Sequence, residues 1–589
     1  MFRSAVFFGT ATESSCVAIH QVINLSPHIM DNFPTHQLSA SAPPSPLPPP
    51  TWIEGPRILE SFSAYLSDES KLKGRADRLS FPTSEPDIQA ILLSARFTGL
   101  PLTISGARTG ITGGAVPNGG WLVSLDKMNR CLRLRPDENE CGYFLTCQPG
   151  LTLETLHNAL EAKNFPGSET WDDASRSALE RLRAEPRHFF PPDPTERSAS
   201  IGGMIACNAS GARTFHYGST RRYIERLRLV LASGHTLELV RGQVRAAPDG
   251  AFTLILPGRP SQVCSIPDYR APGLKNAAGY FSEPRMDLLD LFIGAEGTLA
   301  IVTEADLRLV PAPEAILAIV GFFPTENDVI RFVENARHGL AIPGAPDSER
   351  RPLALEYFDP RSLDLLREQK RNVGPSSPIP NLPAAPCSAL YIELATTPAR
   401  LESAAQTLLE SLDACGSNPD QAWCATTETE NENLKAFRHA LPETVNQRIG
   451  ERAARFPGLT KLGTDFAVPD QALSAMMTAY HDVLDPTGLE YVIFGHIGNN
   501  HVHVNILPRN LDEHARGKTL YLELARRALA LGGTVSAEHG IGKLKKNMLR
   551  LMLGDGGLES MRRIKRLFDP DNILNPGNLF DSPTPGASP

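Results

Sequence analysis

Three histidines fall within eight residues, His496, His501 and His503, in the run GHIGNNHVHVN. A second run, GGTVSAEHGIGKLK, supplies Glu538 and His539. Imidazole and carboxylate together suit a divalent ion of the zinc or manganese type. Two histidines and one carboxylate would leave positions open for a substrate. On a strand over 501–505, His501, His503 and Asn505 would share one face. A glycine turn after His496 would fold it back toward His503. Gly540 and Gly542 would turn the chain so that Glu538 and His539 line one cavity. Any one of these histidines alone reads equally as an ordinary core or surface residue; three together beside glycines shift the weight toward a site.

The second chemical signal is glycine. Gly106, Gly110, Gly113 and Gly114 lie within nine residues, between LTIS and WLVSL, two strand-like runs at 102–105 and 121–125. Such density lets the backbone take positive φ and aim N–H groups at a phosphate. A dinucleotide fingerprint of the G-x-G-x-x-G type needs another spacing and a following helix, and this loop holds no Gly-Lys-Ser/Thr of a P-loop. Alone, it could equally be a tight turn. A second block, PPDPTERSASIGGMIACNASGARTFHYG from Pro191, adds Gly202, Gly203, Asn208, Ser210 and Gly211 after a stiff proline loop. Two such nests fit a dinucleotide with two phosphates.

Several elements must position these groups. Ile88, Ile91, Leu92 and Ala95 recur at helical spacing in PTSEPDIQAILLSARFTG, an amphipathic helix closed by Gly99. RLRLVLASGHTLELV reads as a hairpin turned at Ser233–Gly234, and residues 291–311 close the first half with alternating strand residues. The expected division is a Pro-rich or disordered segment over 1–55, a first domain over 56–315, a second over 316–580, and a tail over 581–589. Strand and helix patterns alternate beyond 315, and LESMRRIKRLF is a helix ending at Asp569–Pro570.

Composition narrows the class. At 589 residues the chain has room for two to four domains. Its net charge is −8, and no basic run or stripe occurs, which argues against a nucleic-acid partner. Nine cysteines at irregular spacing include no Cys-x-x-Cys pair, against a cysteine zinc site or an iron–sulfur cluster. No apolar run reaches the roughly 18 residues that span a bilayer. The interrupted N-terminal run is a poor signal peptide, so the chain reads as cytoplasmic, with a peripheral place at a membrane left open.

SGARTGITGGAVP, the Pro191 block, KNAAGY (275–280) and FIGAEGTLAIVTEADLRL together resemble the PCMH-type FAD domain of the vanillyl-alcohol oxidase superfamily. The resemblance implies an α+β fold: a two-subdomain FAD domain and a C-terminal α+β cap with an antiparallel sheet. It places the flavin against Gly106, Arg108, Thr109, Gly110, Thr112, Gly113 and Gly114 in the first loop. In the second block it adds Pro192, Asp193, Ser200, Gly202, Gly203, Asn208, Ser210, Gly211 and Gly218, and further on Glu296, Gly297 and Ile301. The first loop lacks the histidine that some members bond to the flavin, which implies non-covalent FAD.

His-x6-His followed by Ser-Ala-Glu-His-Gly, with DPDNILNPGNLF at 569–580, is similar to the D-lactate dehydrogenase, glycolate oxidase and D-2-hydroxyglutarate dehydrogenase branch. That similarity implies His496, His503 and Glu538 as metal ligands, His539 as base, Arg438 as partner of a substrate carboxylate, and Asn505 as a further catalytic residue. It implies a small D-2-hydroxy acid substrate, lactate or glycolate foremost. The electron acceptor would be a quinone, a cytochrome, an electron-transfer flavoprotein or a separate iron–sulfur subunit; an oligomer is left open. Three departures stand out. Gly498–Asn499–Asn500–His501 replaces the branch's Gly-Asp-Gly-Asn, so His501 is an extra or alternative ligand to consider. Pro442 stands where the hydroxyglutarate enzymes have threonine, and Lys461 is out of register with their lysine. The rival readings are a metal-free FAD enzyme of the alkylglycerone-phosphate synthase kind and a non-catalytic flavin subunit.

Overall fold

The computed structural model describes residues 41–254, 262–377 and 379–581, all within one compact unit. Residues 1–40 of the expected Pro-rich segment and the tail from 582 lie outside the described residues. Paired backbone lies on the N-terminal side of the expected boundary at 55/56: Ser41 exchanges backbone hydrogen bonds with Thr236, and strand Ile53–Glu54 pairs antiparallel with Leu79 and Arg78.

The fold is α+β. The first half holds a four-stranded sheet in the order 53–54, 78–80, 121–124, 102–105, its last three strands parallel. Helix Glu85–Thr98 starts on a capping box at Ser84 and Asp87 and ends at Gly99 in the left-handed region (φ +67°). Ile88, Ile91, Leu92 and Ala95 are its buried face, packed on Leu102, Trp121 and Val123. A larger antiparallel sheet follows, in which the twelve-residue strand Ala300–Pro311 lies between Tyr143–Cys147 and Ile224–Leu231. The hairpin turns at Gly234 (φ +82°) as its sequence requires.

The second half is a seven-stranded antiparallel sheet. Its central strands, Ala315–Phe323 and Ser388–Thr396, are almost continuously apolar because both faces are covered. Leu317 and Ile319 point into the core shared with the first half, while Ala318, Val320 and Phe322 pack with Leu363, Leu366, Phe437 and Leu441 on the other side. Residues 541–580 do not stay with this sheet. Leu574 bridges to Leu102, Asn575 Oδ1 accepts from the Ile104 N–H (2.7 Å), and Lys565 Nζ donates to Thr298 O (2.7 Å). These contacts cross the expected division at 315/316. No helix among the described residues is long and apolar enough to cross a membrane.

Candidate active site

The site forms where strand Tyr491–Gly495, the turn after it, and the 534–542 loop meet the first half. Gly495 (φ +117°) releases the chain into a short 3₁₀ turn over Ile497–Asn499, and Asn500 takes φ +53°. Buried Arg337 locks that turn by donating to the carbonyls of Ile497 (3.1 Å) and Gly498 (3.3 Å) and to the Asn500 side chain. The strand begins at His503, two residues later than the expected 501–505, so His501 sits in the turn. It is nonetheless beside His503, ring centroids 4.5 Å apart, and His496 folds back to 5.4 Å from His503.

Glu538 lies between the histidines. Its Oε2 is 3.4 Å from His496 Nε2 and its Oε1 is 3.3 Å from His503 Nε2. The other ring nitrogens are already placed: His496 Nδ1 meets Glu356 Oε1 (2.6 Å) and His503 Nδ1 meets Thr464 O (2.9 Å), so both Nε2 atoms are left toward Glu538. That is the arrangement in which a carboxylate or carbonyl behind each imidazole sets the tautomer of a metal ligand. Candidate ligand atoms of His496, His501, His503 and Glu538 all lie within 4.8 Å of one another. His501 is fully buried; its Nε2 is 3.1 Å from Asp465 Oδ1, and its Nδ1 has no hydrogen-bond partner. Buried polar atoms are normally satisfied. The unpartnered Nδ1 and this donor chemistry fit a divalent ion.

A second trio, Asp465, Glu538 and His539, is also close, but Asp465 is already spoken for. Its oxygens accept from the Ser536 hydroxyl (2.6 Å), the N–H groups of Glu538 and His539, and Lys545 Nζ (2.7 Å). Burial alone would raise its pKa; His539 and Lys545 hold it well below the carboxylate range. Asp465 thus builds the loop and orients His539, whose Nδ1 is 3.3 Å away while Nε2 is 3.4 Å from Glu538 Oε1. Gly540 (φ +74°) and Gly542 (φ +52°) turn the chain as expected.

Arg438 sits on helix Glu428–Arg455 with its side chain mostly buried. Nη1 lies 3.8 Å from Glu356 Oε2, and Nε has no partner. A fixed cation with an unspent donor suits an incoming carboxylate. Pro442 lies within the same helix, one turn on, and Lys461 Nζ donates to Asn446 Oδ1 (2.8 Å). Asn505 is buried on the His503 side of its strand, against Gly463. Four groups were given no role from the sequence, although two of them lie in quoted motifs: Glu356, Asp465, Lys275, which opens KNAAGY and whose Nζ pairs with Glu538 Oε2 at 2.7 Å, and Arg213 of the Pro191 block, paired with buried Glu393 at 2.6 Å.

The two glycine blocks interlock. Ser200 caps helix Ile201–Cys207 by accepting from Gly203 N–H, and the same oxygen accepts from Ala107 N–H (3.3 Å each). A Cβ at Gly106 would run into that hydroxyl. Arg108 (φ +64°) is tied to Gly106 O and Asp126, Thr109 is half-buried, and the Thr112 carbonyl accepts from Lys543 and Leu544 N–H. Nothing lies within 4 Å of a Cβ placed at Gly110, and Gly114 meets only Asn578, so this side of the loop faces open space. Gly113 (φ +76°) packs on Leu72, and Gly202 packs on Pro149.

In the second block Pro192 is buried, and Asp193 accepts from Arg213 N–H, with burial raising its pKa to about 6. Asn208 caps the helix (φ +49°), Gly211 packs on the Asp193 backbone, Gly218 (φ +85°) backs on Arg222, and Ser210 Oγ is buried with no partner. Open glycines and an orphaned hydroxyl fit a polyphosphate ligand. Two of the expected residues turn their side chains away from the glycine loops. Glu296 (φ +53°), with Gly297 beside Asn575, directs its carboxylate to the N–H groups of Ile541 (2.7 Å) and Gly542 (2.8 Å), clamping that backbone. Ile301 packs in the core with Ile88 and Trp121, because strand alternation turns it inward.

Residues 76–240 match the family model described as FAD binding domain, and residues 320–579 match the one described as FAD linked oxidases, C-terminal domain. The chain belongs to the FAD-linked oxidases with a PCMH-type FAD domain. Among its relatives, glycolate oxidase subunit GlcD of Bacillus subtilis is 29% identical over 90% of this chain and 95% of that one. D-lactate dehydrogenase of Archaeoglobus fulgidus is 28% identical (90% and 99%), and D-2-hydroxyglutarate dehydrogenase of Stutzerimonas stutzeri is 27% identical (90% and 97%). Among solved structures, 4-ethylphenol oxidase from Gulosibacter chungangensis superposes with a TM-score of 0.58 at 17% identity, covering 89% of this chain and 94% of that one. An alkyldihydroxyacetonephosphate synthase gives 0.54 at 14% (92% and 89%). These two show a shared fold.

Proposed function

We propose that this chain is an FAD-dependent dehydrogenase that oxidises a D-2-hydroxy acid, D-lactate or glycolate foremost, to the 2-oxo acid with the help of a divalent metal. The observation that carries the reading is the convergence of His496, His503 and Glu538 with His539 and Arg438 around one cluster. The relatives named above act, by their names, on D-lactate, glycolate and D-2-hydroxyglutarate.

Bound FAD would accept the C2 hydride, and a divalent ion held by His496, His503 and Glu538 would acidify the substrate hydroxyl. The chain's own groups do the rest. Arg438 pairs with the substrate carboxylate, and its burial strengthens that charge-assisted bond. His539 takes the hydroxyl proton at Nε2, because Asp465 holds Nδ1. The buried Glu356 fixes the His496 ring. Asn505 lines the His503 side of the site. The flavin is held without a covalent link, and its electrons leave to a separate acceptor.

The test is anaerobic mixing of the purified holoprotein with D-lactate, glycolate, D-malate and D-2-hydroxyglutarate while the visible flavin absorbance is followed. Bleaching by D-lactate or glycolate supports the reading; a flavin left oxidised by all four refutes it.

A further inference from the structure

His501 has no assignment in a site of two histidines and one carboxylate, yet it is placed with care. The turn that carries it is fixed by Arg337, by Asp470 accepting from Asn500 Nδ2 (2.7 Å), and by the His501 N–H donating to His496 O (3.1 Å). The ring is fully buried; Nε2 lies 3.1 Å from Asp465 Oδ1, and Nδ1 has no hydrogen-bond partner. An unsatisfied buried polar group costs roughly 1–3 kcal/mol, so such a residue is tolerated where something else satisfies it. Asp465 Oδ1 faces Nε2 and also accepts from Glu538 N–H, while its other three donors go to Oδ2, so Asp465 leaves Nδ1 unserved. On the other side lie His503 (4.5 Å between centroids), His496 (5.3 Å) and Glu538.

We propose that His501 is a fourth protein ligand, making the centre a three-histidine, one-carboxylate set that selects a zinc-type ion over manganese. This rests on the reading of His496, His503 and Glu538 as ligands. The geometry allows it. With bonds near 2.1 Å, donor atoms around an octahedral ion stand about 3–4.2 Å apart. Glu538 already stands 3.3–3.4 Å from His496 and His503, and with all four candidate atoms within 4.8 Å of one another a pair at that limit would close by about half an ångström if trans and by about 2 Å if cis. Each added imidazole favours zinc, cobalt or nickel, whereas carboxylate and water favour manganese and magnesium. Four protein donors also leave a six-coordinate ion two positions. A 2-hydroxy acid fills two, with its hydroxyl and one carboxylate oxygen.

The experiment uses full-length holoprotein, stripped with a chelator that leaves the flavin in place and reloaded with zinc. X-ray absorption at the zinc edge should count three imidazoles in the wild type and two in His501→Asn. The Asn variant keeps a polar group for Asp465 but loses the imidazole. Its zinc Kd should rise more than about 100-fold, beyond the 10–100-fold typical of changes behind a ligand. Its preference for zinc over manganese should narrow. Two imidazoles in the wild type, or an Asn variant within tenfold of wild-type affinity, would overturn the proposal. The wild-type count needs no variant, so a misfolded His501→Asn does not rescue it. His496→Ala separates the two readings. If it keeps full zinc affinity, the underlying site is wrong; if it loses zinc while the wild type shows two imidazoles, only the role of His501 fails.

Discussion

Glu356→Gln sets two effects of one carboxylate against each other. Glu356 is buried on strand Ala354–Phe358, with Oε1 2.6 Å from His496 Nδ1. Glutamine keeps the shape and removes the charge. Weakening the group behind a metal-bound imidazole costs about 10–100-fold in metal affinity, or about 1.4–2.7 kcal/mol. The proton works the other way. Burial and Lys275 depress His496, but Glu356 and Glu538 outweigh them and raise its pKa to about 9. Arg438 faces the far side of Glu356. In the metal-free protein at pH 7, His496 therefore carries a proton that an incoming ion must displace.

The sign follows directly. The free ring exists above about pH 9, so affinity is full there and falls about tenfold per unit as pH drops, some 100-fold by pH 7. Burial holds His503 below its ordinary value. Glu538, though buried, is kept well below the carboxylate range by Lys275 and His496; neither adds slope in this window. Glu356→Gln lowers the His496 pKa and moves the slope to lower pH. The variant should bind zinc 10–100-fold more weakly at pH 9 and come within about tenfold of wild type at pH 7. Competition against a chromophoric chelator from pH 6.5 to 9.5 measures both curves. A flat wild-type curve, or two parallel curves, would refute the reasoning.

His539→Ala should keep metal and FAD but slow flavin reduction by about 10²–10⁴-fold, whereas His496→Ala should lose the metal; metal analysis and stopped flow read both, and metal loss in His539→Ala would reverse the assignment. Acid precipitation should release the flavin into a yellow supernatant, and colour kept in the pellet would refute non-covalent FAD. D-lactate should have a higher kcat/KM than D-2-hydroxyglutarate, because Pro442 offers no hydroxyl and Lys461 is engaged with Asn446, leaving a distal carboxylate unpartnered. Glu393→Gln strands the Arg213 charge and should cost about 3–5 kcal/mol at pH 7 in urea unfolding. Although burial pushes Glu393 up, Arg213 pulls it down to about 2. Its contribution is present above the ordinary carboxylate range, so the gap to wild type should shrink as pH falls toward 2.

Local pattern carried much of the fold. The Ile88–Ala95 periodicity, the Ser233–Gly234 hairpin and the glycine turn after Glu538 depend on near neighbours, and the structure places them as their spacing implies. The histidine cluster was legible because its members are close in sequence. Glu356, 140 residues before His496, was not, since strand pairing alone brings it there. Lys275 and Glu538, 263 residues apart, meet only when the two halves pack. Glu296 and Ile301 show the limit of motif reasoning. Within one motif, the first side chain turns to clamp the 541–542 backbone and the second turns into the core, a choice set by backbone φ and strand alternation.

The return of residues 541–580 to the first half also sets a timetable for synthesis. The Ile104 N–H beside the first glycine loop waits for Asn575, 471 residues later, and Gly114 waits for Asn578. At roughly 5–20 residues per second, the ribosome needs about 25–95 s to make the intervening chain. For that interval the parallel strands 102–105 and 121–124 stand without the segment that covers Leu102, and Glu296, once made, waits a further 246 residues for Gly542. The flavin cradle is thus completed only once residues 575–578 have been made. A nascent chain stalled before residue 575 would expose apolar strand surface to chaperones and proteases, however well its first 300 residues had folded.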